Sequence, residues 1–276
     1  MYVLGDAGND VNEYNLTTAF DVSTASYVRR FAVGTQETYP HGMSFNNDGT
    51  KIFITGYSGD DVNEYSLSTA FDVSTASYVQ RFVVSSQESV PQGITFNNDG
   101  TKMFIVGSTG DDVNEYSLST AFDVSTASYV QLFSVNSEAD RPRDIAFNND
   151  GTKMFIVDQN GAKGVNEYNL TTAFDISTSS YVQNFSVSAQ ESAPQALAFS
   201  NDGTKMFISG SSYPNVYAYN LSTAFDVSSA SYVGNPQGQF WVQLQDISPT
   251  GITFNNDGTK MFMTGTNKDN LSLIHI

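Results

Sequence analysis

The stretch FNNDGTKMF stands at 96–104 and returns, almost letter for letter, in four other places along the chain. Its aspartate falls at Asp48, Asp99, Asp150, Asp202 and Asp257, in steps of 51, 51, 52 and 55 residues. A repeat near fifty residues means a stacked array of small units that bury their faces against one another. The longer steps have visible sources: DQNGAKG at 158–164 carries one extra residue, and GNPQGQ at 234–239 carries four.

Each unit reads as four short strands. QGITF (92–96) alternates, KMFIVG (102–107) is continuously apolar, VNEYSL (113–118) alternates again, and YVQRFVV (78–84) is rich in β-branched and aromatic residues. A strand apolar on every position is one buried on both faces, and alternation marks one that is half buried. No ten-residue stretch keeps a helical period. The expected fold is therefore all-β: a β-propeller of four-stranded antiparallel blades, about five repeats of about 51 residues. The units run 1–38 (partial), 39–89, 90–140, 141–192, 193–247 and 248–270 (partial), as one repeat array over 1–270.

NNDGTK joins the first strand of a unit to the second. Asn-Asp-Gly suits a tight turn in which glycine takes the left-handed conformation. Calcium chelation by this motif is disfavoured, because an EF-hand loop needs alternating acids before its glycine and a closing glutamate. The aromatic residues recur with the repeat. All twenty Phe fall into four columns, such as Phe20, Phe71, Phe122, Phe174 and Phe225, and ten of the fifteen Tyr into two more. An aromatic that recurs in every unit is expected to pack between blades. The single Trp241 lies beside the insertion and is the one aromatic singled out as an exposed ligand contact.

The unit PQGITFNNDGTKMFIVG…VNEYSLST resembles the WD40-like propellers with a YVTN-type repeat, in which a Pro-rich turn precedes the first strand and an Asn/Pro-Asp-Gly turn precedes a Lys-led second strand. The resemblance covers nearly the whole chain and implies a propeller, with little bearing on function. The chain departs from that pattern in the insert TAFDVSTAS between third and fourth strands and in lacking the Trp-Asp dipeptide of true WD40 units.

The two ends are irregular. MYVLGDAGNDVNEY aligns with MFIVGSTGDDVNEY at 103–116, so Met1 falls in the middle of a second strand. The chain finishes on a first and second strand, which leaves Met1–Gly5 and Lys260–Gly265 competing for one place and predicts an incomplete ring. LSLIHI at 271–276 fits no column. It is the translation of the transposon mosaic end used in sequencing libraries, CTG TCT CTT ATA CAC ATC. The expectation is a fragment of a longer metagenomic reading frame with an adapter-derived tail, so His275 is left out of every argument.

With 29 acidic and 12 basic residues the net charge is −17. Clustered Lys and Arg for a nucleic-acid backbone are missing, and no apolar run approaches the roughly 18–20 residues of a membrane span. Nucleic acid and a membrane span are excluded. With no cysteine there are no disulfides or thiolate metal sites. No GxSxG elbow, HExxH pair or phosphate-cradling glycine loop is present.

In propellers of this kind, ligands meet the loops around the channel mouth. The column just before the inner strand reads His41, Gln92, Arg143, Gln195 and Thr250; two residues upstream it reads Tyr39, Val90, Arg141, Ala193 and Ser248. These columns vary in units that are otherwise near-identical, and a variable polar ring in a rigid frame is where specificity is placed. Candidate ligand-binding residues are therefore His41, Gln92, Arg143, Gln195, Thr250, Tyr39, Arg141 and Trp241, with drift at exposed positions as the competing account. Glu37, Glu88, Glu191 and Asp246 form one acidic column, read as a solvated rim. Asp10, Asp60, Asp61, Asp111 and Asp112 supply paired carboxylates for which Ca²⁺ is the candidate ion. No cofactor is otherwise implied. Near-equivalent blades point to a non-catalytic binding or adhesion module on a secreted surface or a virion, with a protein or glycan ligand. The alternative is an enzyme resembling the lactonase or lyase propellers, with its site at the mouth and Asp144 one step inward.

Overall fold

In the computed structural model, which describes residues 9–266, the chain closes into a ring of five blades, each of four antiparallel strands. Blade II runs Pro40–Phe45, Lys51–Gly56, Asp61–Leu67 and Ala76–Val83 from the channel outward. Blade III runs Pro91–Phe96, Lys102–Gly107, Asp112–Leu118 and Ala127–Ser134; blade IV runs Pro142–Phe147, Lys153–Asp158, Gly164–Leu170 and Ser179–Ser186. Blade V begins with Pro194–Phe199, Lys205–Gly210 and Asn215–Leu221; its outer edge is broken into Ala230–Tyr232 and Gln239–Trp241 by the four-residue insertion.

Blade I is composite. Pro249–Phe254 and Lys260–Gly265 supply its inner half, and Asp10–Leu16 and Ala25–Ala32 its outer half. Lys260–Gly265 pairs antiparallel with Asp10–Leu16 from Asn15↔Lys260 to Asp10↔Gly265. The ring is thus closed, which corrects the expectation of an incomplete one: the C-terminal second strand takes the place, and Met1–Gly5 lies outside the described residues, as does the tail at 271–276. Blade I is also tied to blade II, through Thr250 Oγ1 to the Pro40 carbonyl (2.8 Å) and Asn256 Nδ2 to the Asn47 carbonyl (2.6 Å). Among the described residues no helix is long and apolar enough to cross a membrane.

The repeated turn behaves as its composition demands. Gly49, Gly100, Gly151, Gly203 and Gly258 all sit at φ of 69–71°. In the preceding residue, Asp48 Oδ1 accepts the Thr50 N–H (2.9 Å), and Asn46 Oδ1 accepts the Lys51 N–H (2.9 Å). The glycine is required twice over, since a Cβ on Gly49 would stand 2.3 Å from the Phe71 ring. That ring belongs to the inserted TAFDVSTAS segment, which forms a capped 3-10 turn: Asp72 accepts the Ser74 N–H (3.0 Å) ahead of Val73–Thr75.

The aromatic columns lie between blades, as expected of them. Phe53 of blade II packs on Phe96 of blade III at 4.6 Å, Phe104 on Phe147 at 4.7 Å, Phe155 on Phe199 at 4.7 Å, Phe207 on Phe254 at 4.6 Å and Phe262 on Phe45 at 4.7 Å. Five tilted ring pairs therefore form a closed aromatic belt, and each buries large apolar area that a lone blade would expose to water.

Candidate functional site

The five inner strands converge on a central channel whose wider end forms a cavity of about 550 Å³. His41, Gln92, Arg143, Gln195 and Thr250, one from each blade, line it together with Arg141. These residues are the second of their strands, because the inner strands begin at the prolines; the side chains come from the frame itself and not from the loop before it. Tyr39 is exposed and reaches the site only through Tyr57, a wall residue, in an edge-on contact at 6.4 Å. Trp241 is 66% exposed, but it lies on the outer edge of blade V beside Asn215, away from the mouth.

Arg143 is 7% exposed and carries the densest hydrogen bonding at the mouth. Its Nη1 donates to Gln92 Oε1 of the neighbouring blade (2.6 Å), while Nε and Nη2 both donate to Gln159 Oε1 (3.0 and 2.5 Å). Two neutral amides thus hold the guanidinium in place, and no carboxylate among the described residues forms an ion pair with it. Arg141 likewise has no ion pair, and burial together with that neighbouring charge pulls the Arg143 pKa down to about 10. A buried cation without a counter-ion is costly, so it is retained where something anionic can complete it.

His41 faces the same two cations. Burial, then Arg143, then Arg141 lower its pKa to about 4, so it is a neutral imidazole at physiological pH. Its Nδ1 is buried and has no hydrogen-bond partner among the described residues. One step down the channel stands Asp144, whose counterparts in the other blades are Gly42, Gly93, Ala196 and Gly251. Its carboxylate occupies space that a Cβ on Gly93 would take, 2.6 Å from Oδ1. It accepts the N–H of Leu197 (2.8 Å) and of Ile145 (2.9 Å), yet burial beside the apolar girdle of Met43, Ile94, Ile145 and Ile252 raises its pKa to about 7.

The acidic columns play another role than the one expected. Glu37, Glu88, Glu191 and Asp246 are buried rather than solvated. Glu37 accepts the N–H groups of Tyr39 (2.6 Å), Ser58 (3.1 Å) and Gly59 (3.2 Å), stapling the loops of the mouth. Gly56 leaves the room for it: a Cβ there would stand 2.2 Å from the Glu37 carboxyl carbon. Blade IV reverses the pair. Ala139 replaces the glutamate, Asp158 replaces the glycine, and Asp158 accepts the N–H groups of Arg141 (3.3 Å), Asn160 (3.2 Å) and Ala162 (2.8 Å). The acids proposed for calcium sit elsewhere, where the third strands begin. Asp10 is bridged by Arg30 (3.1 Å), Asp61 by Arg81 (3.2 Å), and Asp112 accepts from Asn114 (2.6 Å). Asp60 and Asp111 occupy left-handed turn positions at φ 46° and 47°. Among the described residues no three His, Cys, Asp or Glu side chains come together as a metal site.

Gln159 was not singled out from sequence, although it shares a variable column with Tyr57, Ser108, Ser211 and Thr266 just past the second strand. That variability was the signal available.

The fold and site define a five-bladed propeller with an asymmetric, cationic channel mouth on an otherwise acidic chain. No family model matches the chain, and no curated protein matches it. Among solved structures, it superposes with TM-score 0.50 on a protein from Bacteroides uniformis proposed to be a 6-phosphogluconolactonase, at 13% identity over 94% of this chain and 72% of that one. A functionally unknown protein from Desulfotomaculum acetoxidans gives TM-score 0.50 at 14% identity over 95% and 74%; one from Lactobacillus plantarum gives 0.50 at 12% identity over 86% and 64%. At such identities the likeness is one of fold.

These findings overturn the expectation of a non-catalytic adhesion module. That reading rested on near-equivalent blades. The mouth instead gathers Arg143 and Gln159 from one blade against His41 and Gln92 from two others, and the Bacteroides uniformis protein of similar fold is named for a lactonase activity.

Proposed function

We propose that the chain is a lactonase-like propeller enzyme acting at the channel mouth on a small lactone that carries an anionic group. The observation that carries this reading is Arg143: a buried guanidinium, positioned by two amides from two blades, with no ion pair of its own. An anionic substituent would complete it, and Arg141 on the rim would add attraction during entry.

The chemistry follows from what stands around that cation. Water attacking the lactone carbonyl carbon places negative charge on the carbonyl oxygen, where a preorganised cationic donor is most effective. His41 lines the cavity and is the available general base, its imidazole taking the proton of the attacking water and returning it to the ring oxygen as the C–O bond breaks; the product is the hydroxy acid. An imidazole with a pKa near 4 is a weak base; burial is the largest cause of its depression, and the charges of Arg143 and Arg141 add to it. An anion bound to both would offset them and raise the imidazole toward its ordinary value, coupling substrate binding to activation of the base.

The test is hydrolysis of a panel of lactones with and without a phosphate or carboxylate substituent, followed by proton release in a pH-stat. Anionic lactones should be turned over, and Arg143→Met and His41→Gln should each lose that turnover while remaining folded. Absence of turnover for every anionic lactone, or full activity in Arg143→Met, would refute the assignment. An unsaturated product in place of a hydroxy acid would place the chemistry among lyases instead.

A further inference from the structure

Outside the channel, a second polar arrangement repeats between blades and fails once. In blade IV the Lys153 ammonium pairs with Glu167 (2.6 Å) and also donates to the Phe225 carbonyl of blade V (2.9 Å). The second oxygen of Glu167 accepts the buried Val227 N–H (3.2 Å) and the Gln183 amide (2.9 Å). The same carboxylate recurs as Glu13 with Lys260 and Val73, as Glu64 with Lys51 and Val124, and as Glu115 with Lys102 and Gln131. At four of the five blade junctions, then, a glutamate fills one and the same hole.

The fifth junction, between blades V and I, keeps the hole and lacks the glutamate. Ala218 stands in its place, opposite Phe207 as Glu167 stands opposite Phe155. Lys205 still donates to the Phe20 carbonyl (2.9 Å), but among the described residues it has no ion pair. Val22, the counterpart of Val227, is fully buried beside this place, and no glutamate stands there to meet its N–H. The neighbouring blade has not collapsed into the space: a cavity of about 160 Å³ remains, walled by Phe20, Asp21, Val22, Lys205, Ala218 and Gln237. Asp21 is the one acid in that wall. Its Oδ1 is occupied by the N–H and hydroxyl of Ser23, as the matching Asp226 serves Ser228 beside a fully occupied Glu167.

We propose that this cavity is a binding site for a small aliphatic carboxylate, of the size of acetate or propionate. The ligand would take the position of the missing glutamate carboxylate: one oxygen on the Lys205 ammonium, the other on the Val22 N–H, with the Gln237 amide as a third donor. A buried N–H and a buried ammonium both favour an anionic acceptor, so an occupant that serves them is favoured over an empty hole. The four filled junctions supply the reference geometry, and charge-assisted bonds from Lys select a carboxylate over a neutral guest of the same size. The inference is independent of the proposed lactonase activity, which uses none of these residues.

The test compares thermal unfolding in sodium acetate with sodium chloride at equal ionic strength and pH 7, for wild type and for Ala218→Glu. The variant restores the glutamate that four sister junctions already accommodate. A ligand at about twentyfold over its dissociation constant should raise the wild-type Tm by about 3–6 °C beyond chloride. Ala218→Glu should start from a higher Tm and lose the acetate-specific rise. An equal acetate rise in both proteins means a general salt effect on the surface, and overturns the proposal. A second readout does not depend on the variant: titration of isotope-labelled wild type with acetate should shift the Val22 amide resonance saturably, and chloride should not. A Val22 resonance that does not move means that water fills the hole, and likewise overturns it.

Discussion

At the narrow end of the channel, Asn47, Asn98, Asn149, Asn201 and Asn256 occupy equivalent positions, and each side-chain amide donates to the backbone carbonyl of the next, round to the first. At the wide end the equivalent positions hold His41, Gln92, Arg143, Gln195 and Thr250, five side chains of which no two blades but III and V agree. The same strands carry both rings. Identical residues satisfy one another at the narrow end, which leaves nothing to recognise a ligand and adds only stability. Differing residues at the wide end leave a cation without a counter-ion and an imidazole nitrogen without a partner. Along this channel, the end at which the repeat breaks is the end at which polar groups are not satisfied by their neighbours, and that is where substrate can complete them.

The comparison breaks most visibly if a change at the narrow end reaches the wide one. Gly100→Ala should have the largest effect on stability. Its added Cβ would lie 2.2 Å from the Phe122 ring, at a φ of +71° that side chains resist. We expect a loss of about 2–4 kcal/mol in urea unfolding, from steric overpacking together with left-handed backbone strain. Turnover per folded molecule should be unchanged. A Gly100→Ala protein of wild-type stability would show that the turn is not held as described.

Arg143→Met makes the reciprocal test. It removes the charge that Gln92 and Gln159 hold, and should weaken the binding of an anionic inhibitor by about 10–100-fold, the range of one to two charge-assisted hydrogen bonds. Stability should move by no more than about 1 kcal/mol, because the desolvation cost of a buried cation disappears along with its hydrogen bonds. Isothermal titration and urea unfolding separate the two quantities. If stability collapses while binding survives, Arg143 is a packing residue and the contrast between the two rings fails.

The pH dependence sharpens the same contrast, because the titrating groups of the channel lie at the wide end. The Asp144 carboxyl has its folded pKa raised to about 7 from an ordinary unfolded value near 4. Its contribution is therefore fully present at low pH and is lost as pH rises from about 4 to 7, where the unfolded chain has released a proton that the folded one retains. His41, lowered to about 4, acts in the opposite sense, and its contribution is lost as pH falls from about 6.5 to 4. Asp144→Asn should remove the first of these two contributions and keep the second. Relative to wild type it should gain about 3 kcal/mol in unfolding free energy between pH 4 and pH 7. Parallel pH profiles for the two proteins would mean that Asp144 is ionised in the fold.

Much of this architecture is legible in the sequence for a physical reason. Glycine at φ near 70° and a Phe column at every junction are local demands, restated five times, so Gly49 and Phe53 reveal their roles without coordinates. The mouth ring was legible as a variable column. What sequence could not provide was the partner across blades. That Glu37 is buried follows only once Gly56 is seen to make room for it, and that Arg143 lacks an acid requires knowing that Asp158 is already engaged by three backbone amides. Ring closure was misread for a similar reason. Two second strands compete for one place on paper, and the pairing of Asn15 with Lys260 is visible only in three dimensions.

The smallest effect should come from the asparagine ring itself. Asn149→Ala removes one donor, to the Asn201 carbonyl, and leaves the carbonyl of residue 149 to accept from Asn98 as before. Both ends of the lost bond are exposed to water, which replaces it, so the cost should be about 0.5–1 kcal/mol. Each bond connects one blade to the next, so the loss should act on the ring as a whole and lower the urea midpoint without changing the cooperativity of the transition. Binding of the anionic inhibitor at the other end should not change. A variant in which Asn149→Ala weakens that binding would show that the two rims communicate through the inner strands, and would turn a division of labour between two ends of a channel into a coupling between them.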